Sequence, residues 1–263
     1  MLSGWPKLRN ANGMLSGYPR LRNSNGMLSG YPRPAGAYAD LVLATAGLVG
    51  YWKLNEPAGA TTARDSSPNG YHMTHTGAIT PGYSPGLIPG FTATAYAGNS
   101  GDRTKITTPV TTVVDNWAME AWITCTLPQS NWAGEGGMIM QVGTNGNGYG
   151  MGIGAGTFGP GSRLYYLRGG IAWHDSGYTL PTSGATYHIV VARVGGTTRF
   201  YSNGVEVGSS FASAPSTPAT QTDIGGYSAD GQQFRGRIGH AAVYAQGLSA
   251  AQILAHYNAG LAG

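Results

Sequence analysis

Between residues 148 and 156 glycine takes every second position, and Tyr149, Met151, Ile153 and Ala155 fill the positions between. A period of two belongs to an extended strand, whose side chains point alternately to opposite faces. The pattern predicts a strand with one apolar face and one bald face, where a neighbouring backbone or a ligand can approach closely. It is not a phosphate loop, which needs Gly-x-Gly-x-x-Gly between a strand and a helix; no helical pattern follows here. Short runs rich in Val, Ile, Tyr, Trp and Thr recur along the chain. They predict further strands near 49–55, 71–76, 104–107, 117–126, 137–143, 163–168, 186–194, 197–202, 204–209, 221–227 and 235–244. Asn203-Gly204 between two of these runs marks a hairpin turn. Helical spacing occurs at two places. Tyr38, Leu41, Val42 and Thr45 predict a short helix over 37–46, and Ser249 caps a second that carries Ile253, Leu254 and Tyr257 and that Gly260 is placed to stop. The elements predict an all-β sandwich of two antiparallel sheets, with short helices before the first strand and at the C-terminus.

Composition agrees. The chain has 44 Gly and 15 Pro in 263 residues, and only 10% of its residues are charged, which excludes a helical bundle; 41% are hydrophobic, which excludes a disordered chain. The single cysteine, Cys125, excludes an intrachain disulfide and is expected to be a buried, inert thiol. No apolar run reaches about 18 residues, so no membrane span is expected. No apolar signal-peptide core opens the chain, so a route other than ordinary secretion is expected.

The first 36 residues follow a different rule. MLSGWPKLRNANG is followed by MLSGYPRLRNSNG and by the truncated MLSGYPRPAG. Pro6, Pro19 and Pro32 forbid a continuous helix, and the Asn-Gly pairs favour tight turns. Lys7, Arg9, Arg20, Arg22 and Arg33 give residues 1–39 a charge of +5 with no acid, so the remainder carries −1 and the net +4 comes from this segment. Such a unit cannot bury a core by itself. It reads as an anchoring arm, residues 1–36, ahead of a body, residues 37–263. In that arm Leu2, Trp5, Leu15, Tyr18, Leu28 and Tyr31 would fill pockets on neighbouring subunits, and the basic side chains would meet acidic or carbonyl-rich surface. Linked weak contacts add avidity. A plain spacer is the alternative.

Candidate chemistry is sparse. Gly82-Tyr83-Ser84-Pro85-Gly86 matches the nucleophile-elbow pattern, but prolines on both sides fit a loop rather than a strand-to-helix turn. No two acids lie within four positions of each other, which argues against the paired carboxylates of glycoside cleavage. His72-x-x-His75 is the one close histidine pair and reads as surface or strand histidines. No catalytic residue is assigned and no cofactor is required. Calcium suits scattered hard oxygen ligands. Glu56, Asp65 and Asn69 are its candidates, and an Asx-rich turn explains the same three residues without a metal. Aromatic side chains on loops can stack on sugar rings. Trp132 and Trp173 are the candidates, with His174, Asp175, Gln232 and Gln233 as polar neighbours.

The order of pieces resembles laminin G-like jelly-roll domains of the concanavalin A-like lectin/glucanase superfamily. The resemblance rests on YADLVLATAGLVGYWKLNEPAGATTARDSSPNG, WAMEAWI, TYHIVVARVGGTTRFYSNGVEVGS and FRGRIGHAAVYAQGLSAAQILAHYNAG, which together cover about residues 38–263. It implies a two-sheet jelly roll that binds glycans or proteins, in many members with calcium at a sheet edge. The Glu-x-Asp-x-x-Glu strand of catalytic relatives is absent. Many relatives have Asp after the Ile of the last strand, where this chain has Gly239 and then His240. The Ile-Gly-His form resembles that of phage virion proteins, notably tail and surface proteins.

Arm and resemblance together lead to a non-enzymatic, structural protein of the virion surface, a decoration or tail-associated subunit. Its arm would tie it to other subunits, and its jelly roll would be displayed outward. A carbohydrate-binding adhesin, or the subunit of an extracellular filament, is the alternative. The expected partners are virion or filament subunits and cell-surface glycans, with homo-oligomers formed. Nucleic acid is not expected, because no nucleic-acid-binding fold accompanies the basic arm.

Overall fold

A computed structural model describes residues 37–129, 136–144, 146–154, 161–227 and 231–262. The chain divides into two units, Met1–Arg33 and Pro34–Gly263, and all described residues lie in the second. Its elements in order are α1 (Ala37–Ala44), β1 (Leu48–Trp52), β2 (Thr62–Ala63), β3 (Met73–Thr76), β4 (Ile79–Tyr83), β5 (Ala93–Ala97) and β6 (Arg103–Ile106). Then come β7 (Trp117–Cys125), β8 (Gly137–Thr144), β9 (Asn147–Ile153), β10 (Arg163–Arg168), β11 (Ala172–Thr179) and β12 (Thr186–Val194). The chain continues through β13 (Thr197–Ser202), β14 (Val205–Phe211), β15 (Thr222–Ile224), β16 (Arg235–Tyr244) and α2 (Ala250–Ala262).

The strands form two sheets of eight. The first runs β14-β13-β12-β7-β16-β5-β4, with β1 also paired to β16; the second runs β11-β10-β9-β8-β15-β6-β3-β2. Neighbours within each sheet are antiparallel, as the sandwich reading expected. Alternation along β7 shows how the layers are made. Trp117, Met119, Ala121, Ile123 and Cys125 point into the core shared with the second sheet, where Tyr149, Met151 and Ile153 of β9 meet them. Ala118 and Trp122 point the other way, into a second apolar layer closed by Tyr38 and Val42 of α1 and by Ile253 and Ala259 of α2. The first sheet is thus buried on both faces, by the second sheet and by the two helices. Cys125 is buried as expected, and burial pushes its thiol up to about 12.

Local signals explain several elements. Asn203 and Gly204 have φ of 52° and 81°, the left-handed pair that a two-residue hairpin turn requires. Ser249 and Gln252 form a reciprocal cap at the start of α2, with Gln252 N–H donating to Ser249 Oγ and Ser249 N–H to Gln252 Oε1. Gly260 does not stop α2, which runs on to Ala262. Its role is steric: a Cβ there would stand 2.2 Å from the Trp122 ring. Pattern reading missed β2, β4, β5 and β11. Strand β4 holds Pro81 and survives because it is an edge strand. Residues 240–241 form a bulge in β16, with His240 at φ 54°. The Gly-His departure is therefore a backbone feature that turns His240 toward Tyr51 and Phe91.

Candidate functional site

Helices close the outer face of the first sheet. The outer face of the second is built from side chains that alternate away from its core. Cross-strand register lines them up in one row: Trp173 of β11, Leu167 of β10, Gly150 of β9, Gln141 of β8, Asp223 of β15 and Lys105 of β6. Strands lie about 4.8 Å apart, so the row spans about 24 Å. A parallel row places Asp175, Tyr165, Gly152 and Met138 side by side.

The bald face foreseen for β9 lies within these rows. Its floor lets Trp173 lean across β10, so that a Cβ on Gly152 would stand 3.4 Å from the indole. Beside the ring, a cleft of about 280 Å³ opens between the β10–β11 hairpin and Gln232, with Leu167 and Ile171 as apolar walls. Gln232 is 6% exposed, and its Oε1 has no hydrogen-bond partner among the described residues. Gln141 is fully buried, with both amide atoms unpartnered. Asp223 is fully buried as well; its Oδ2 accepts from Gln221, and its Oδ1 faces Arg103 Nη1 at 3.6 Å. Burial pushes the Asp223 carboxyl up to about 7 against the opposing pull of Arg103 and Gln221. Buried polar atoms without partners are costly and rare. Gln232 leaves such an atom at the cleft beside the aromatic ring, an arrangement suited to a ligand rich in hydroxyl groups, while Gln141 and Asp223 are fully buried farther along the sheet.

The sequence candidates are distributed as follows. Trp173 and Gln232 meet at the cleft. Trp173 is on an edge strand rather than a loop. Asp175 lies on the same face, held 2.6 Å from Arg163 and accepting from Gly177 N–H. His174 points to the opposite face, against Tyr166 and Phe211, because neighbours on a strand alternate. It therefore leaves the candidate glycan set, and burial together with Arg168 lowers its pKa. Gln233 donates to Tyr227 O and braces its own loop. Trp132 and the arm residues lie outside the described residues. Sequence reasoning missed Gln141 and Asp223, since a lone Gln or Asp in a strand carries no signal until register is known.

Asp65 organises a turn. Its Oδ1 accepts from Tyr51 N–H and Ser67 N–H, and its Oδ2 from Ser67 Oγ–H and Tyr71 N–H. Glu56 Oε1 accepts from Arg64 N–H, and Asn69 donates to Val49 O. A cation at Asp65 would have to displace these backbone donors. Among the described residues no group of three or more His, Cys, Asp and Glu side chains is placed to hold a metal. Ser84 follows β4 into a loop with no helix, so the elbow geometry is absent. That loop, 84–92, surrounds a larger cleft of about 590 Å³ that has no charged side chain in its lining.

A second polar cluster lies beneath the helices. Glu120 of β7 is fully buried and accepts from Tyr244 (2.6 Å), Tyr38 (3.3 Å), His256 Nδ1 (2.9 Å) and His188 Nε2 (3.3 Å). Burial alone would raise its pKa; His256 and His188 outweigh that and hold it below the usual carboxylate range. Burial alone would lower His256, and Glu120 raises it. Next to them Tyr51 O–H meets His240 Nδ1 at 2.6 Å, and burial with Lys53 pushes His240 down to about 3. The cluster ties α1, α2, β7, β12 and β16 together. It is sealed from both ends, which makes it a structural fastening.

Residues 98–254, more than half of the chain, match the laminin G family model described as the concanavalin A-like lectin/glucanases superfamily. The chain belongs to that superfamily. No curated protein matches it. Among solved structures, domain 4 of an extracellular GH43 arabinanase from Geobacillus stearothermophilus, in complex with arabinotriose, is similar. It shares 16% identity and a TM-score of 0.56 over 80% of this chain and 98% of that one. The botulinum neurotoxin type G receptor-binding domain matches 81% of this chain at 12% identity and TM-score 0.58, over 51% of its own length. Trypanosoma rangeli sialidase matches 82% at 13% identity and TM-score 0.57, over 33% of its length. Similarity at these identities describes the shared lectin-like fold.

Proposed function

We propose that the chain is a non-catalytic, carbohydrate-binding display protein. The outer face of the second sheet takes a sugar chain in the cleft between Trp173 and Gln232, and the arm, residues 1–36, ties the body into a larger assembly of the virion-surface or filament kind. One observation carries the binding half. Gln232, nearly buried, leaves its Oε1 unpartnered beside an aromatic ring over a glycine floor. A sugar would supply hydroxyl donors for the unpartnered amide oxygen beside the indole. The arabinanase domain solved with arabinotriose supports carbohydrate recognition on this architecture, and the neurotoxin receptor-binding domain supports recognition of a partner on it. Binding without cleavage is favoured because Asp175 and Asp223 on this face are each engaged by an arginine.

The assembly half rests on the repeated basic arm and on the Ile-Gly-His form of the last strand. A glycan array probed with the full chain and with Trp173→Ala tests the first half. Selective binding by the wild type that the variant loses supports it, and a blank array for both overturns it. Deleting residues 1–36 tests the second. A truncated protein that still enters its assembly at full occupancy overturns anchoring by the arm.

A further inference from the structure

The glycine alternation of β9 runs one step past the strand. Gly154 follows Ile153, and its N–H donates to Arg163 O at 2.9 Å. Gly150, Gly152 and Gly154 therefore lie opposite Leu167, Tyr165 and Arg163 of β10. Alternate residues of a strand share a face and stand about 6.7 Å apart. Each glycine has a different companion. Leu167, opposite Gly150, is a wall of the cleft. Trp173 leans over Gly152, with its ring 6.4 Å from that of Tyr165 in an edge contact. At the Gly154 step stands an ion pair. Arg163 Nη1 is 2.6 Å from Asp175 Oδ2, and Asp175 Oδ1 accepts from Gly177 N–H. The order along β10 is thus cleft, aromatic pair, ion pair.

The pair is not sealed. Its side chains remain 35% and 32% exposed. A guanidinium carries five N–H donors, and the Arg163 side chain makes one hydrogen bond among the described residues, to Asp175. Donor and acceptor capacity therefore stand side by side. Adjacent sugar hydroxyls match that, one donating to the carboxylate and one accepting from the guanidinium. A sugar carboxylate does not match it, because it would reach Arg163 only beside Asp175, and like charges in contact repel. Arg168, the charged residue lining the cleft, already gives Nε and Nη2 to Ala214 O. We propose that Arg163 and Asp175 form a second sugar subsite, on the far side of Trp173 from the cleft, and that the face selects uncharged oligosaccharides of two or more units. The inference rests on the binding reading above and names its substrate class.

The test probes the full chain on an array that carries each oligosaccharide in a neutral form and in a form ended by a uronic or sialic acid. The variants are Arg163→Gln, Asp175→Asn and Trp173→Ala. A half-exposed ion pair adds little to stability, and Asn keeps an acceptor for Gly177 N–H, so both pair variants are expected to melt with the wild type. The wild type is expected to bind neutral forms at least about tenfold more tightly than acid-ended ones. Arg163→Gln is expected to weaken the neutral forms by about tenfold. Asp175→Asn leaves Arg163 unopposed and is expected to gain binding of the acid-ended forms. That gain cannot come from a poorly folded chain, so it decides the matter should Arg163→Gln fold badly. Binding that Trp173→Ala loses and that both pair variants keep, with unchanged selectivity, overturns the second subsite and leaves the cleft standing. A wild type that binds acid-ended forms as well as neutral ones overturns the substrate class. A blank array for the wild type overturns the binding reading itself.

Discussion

The indole of Trp173 lies over Gly152, and a Cβ built on that glycine would stand 3.4 Å from the ring. The alternation that makes β9 half apolar and half bald therefore also makes room for an aromatic side chain two strands away. Trp173→Ala is expected to weaken carbohydrate binding by about tenfold or more, about 1.4 kcal/mol. Titration calorimetry checks the affinity, and an unchanged melting temperature separates lost contact from lost fold.

Gly260 supplies a test of packing against propensity. Alanine is the better helix former by about 1 kcal/mol. At this position its Cβ would meet Trp122 at 2.2 Å. Gly260→Ala is expected to destabilise the body by about 1–3 kcal/mol, measured by urea denaturation. A stabilised variant would mean that the contact between α2 and β7 relaxes easily.

The cluster under the helices sets the acid limb of stability. Glu120 is held below its ordinary pKa, so its contribution is present above the unfolded value, about 4.3, and is lost as pH falls through the folded one. His240 is pushed down to about 3, so its contribution is complete above the unfolded value near 6.5 and shrinks as pH falls toward 3. His256 is raised, and its contribution fades instead as pH rises through its folded value. With the opposing Asp223 slope removed by Asp223→Asn, melting temperature is expected to fall from about pH 6 to pH 3. His240→Asn, which tolerates the positive φ, should flatten that limb. Glu120→Gln, which leaves two buried histidines without their acid, should cost about 3–5 kcal/mol at neutral pH.

Asp223 has the opposite sign. Its carboxyl is raised to about 7 by burial, so the folded state holds a proton that the unfolded chain releases, and stability falls as pH rises from about 4 toward 7. Asp223→Asn is expected to remove this slope and to gain most relative to wild type at pH 8, in melting curves recorded from pH 5 to 8.

Much of the architecture was legible because period-two alternation is a local signal. β7, β9, β12 and the Asn203-Gly204 hairpin all fell where the pattern put them. Elements without that signal were not visible. β11 reads as polar loop, since its residues are chosen for an edge position and for both faces at once, and β4 hides behind Pro81. The site was half legible. Trp173 and Gln232 stood out as an aromatic and an amide in polar surroundings. Gln141 and Asp223 did not, because their meaning comes from register across strands far apart in sequence. His174 was misplaced by one step of the same alternation. Glu120 looked like a lone acid in a central strand, and its four donors come from four elements.

The most direct measurement is a crystal structure of the chain with the oligosaccharide that binds it best. The account predicts a sugar ring stacked on Trp173 and hydrogen-bonded to Gln232 over the Gly150–Gly152 floor. A sugar held instead in the 84–92 loop, or on a cation at Glu56, Asp65 and Asn69, would contradict it.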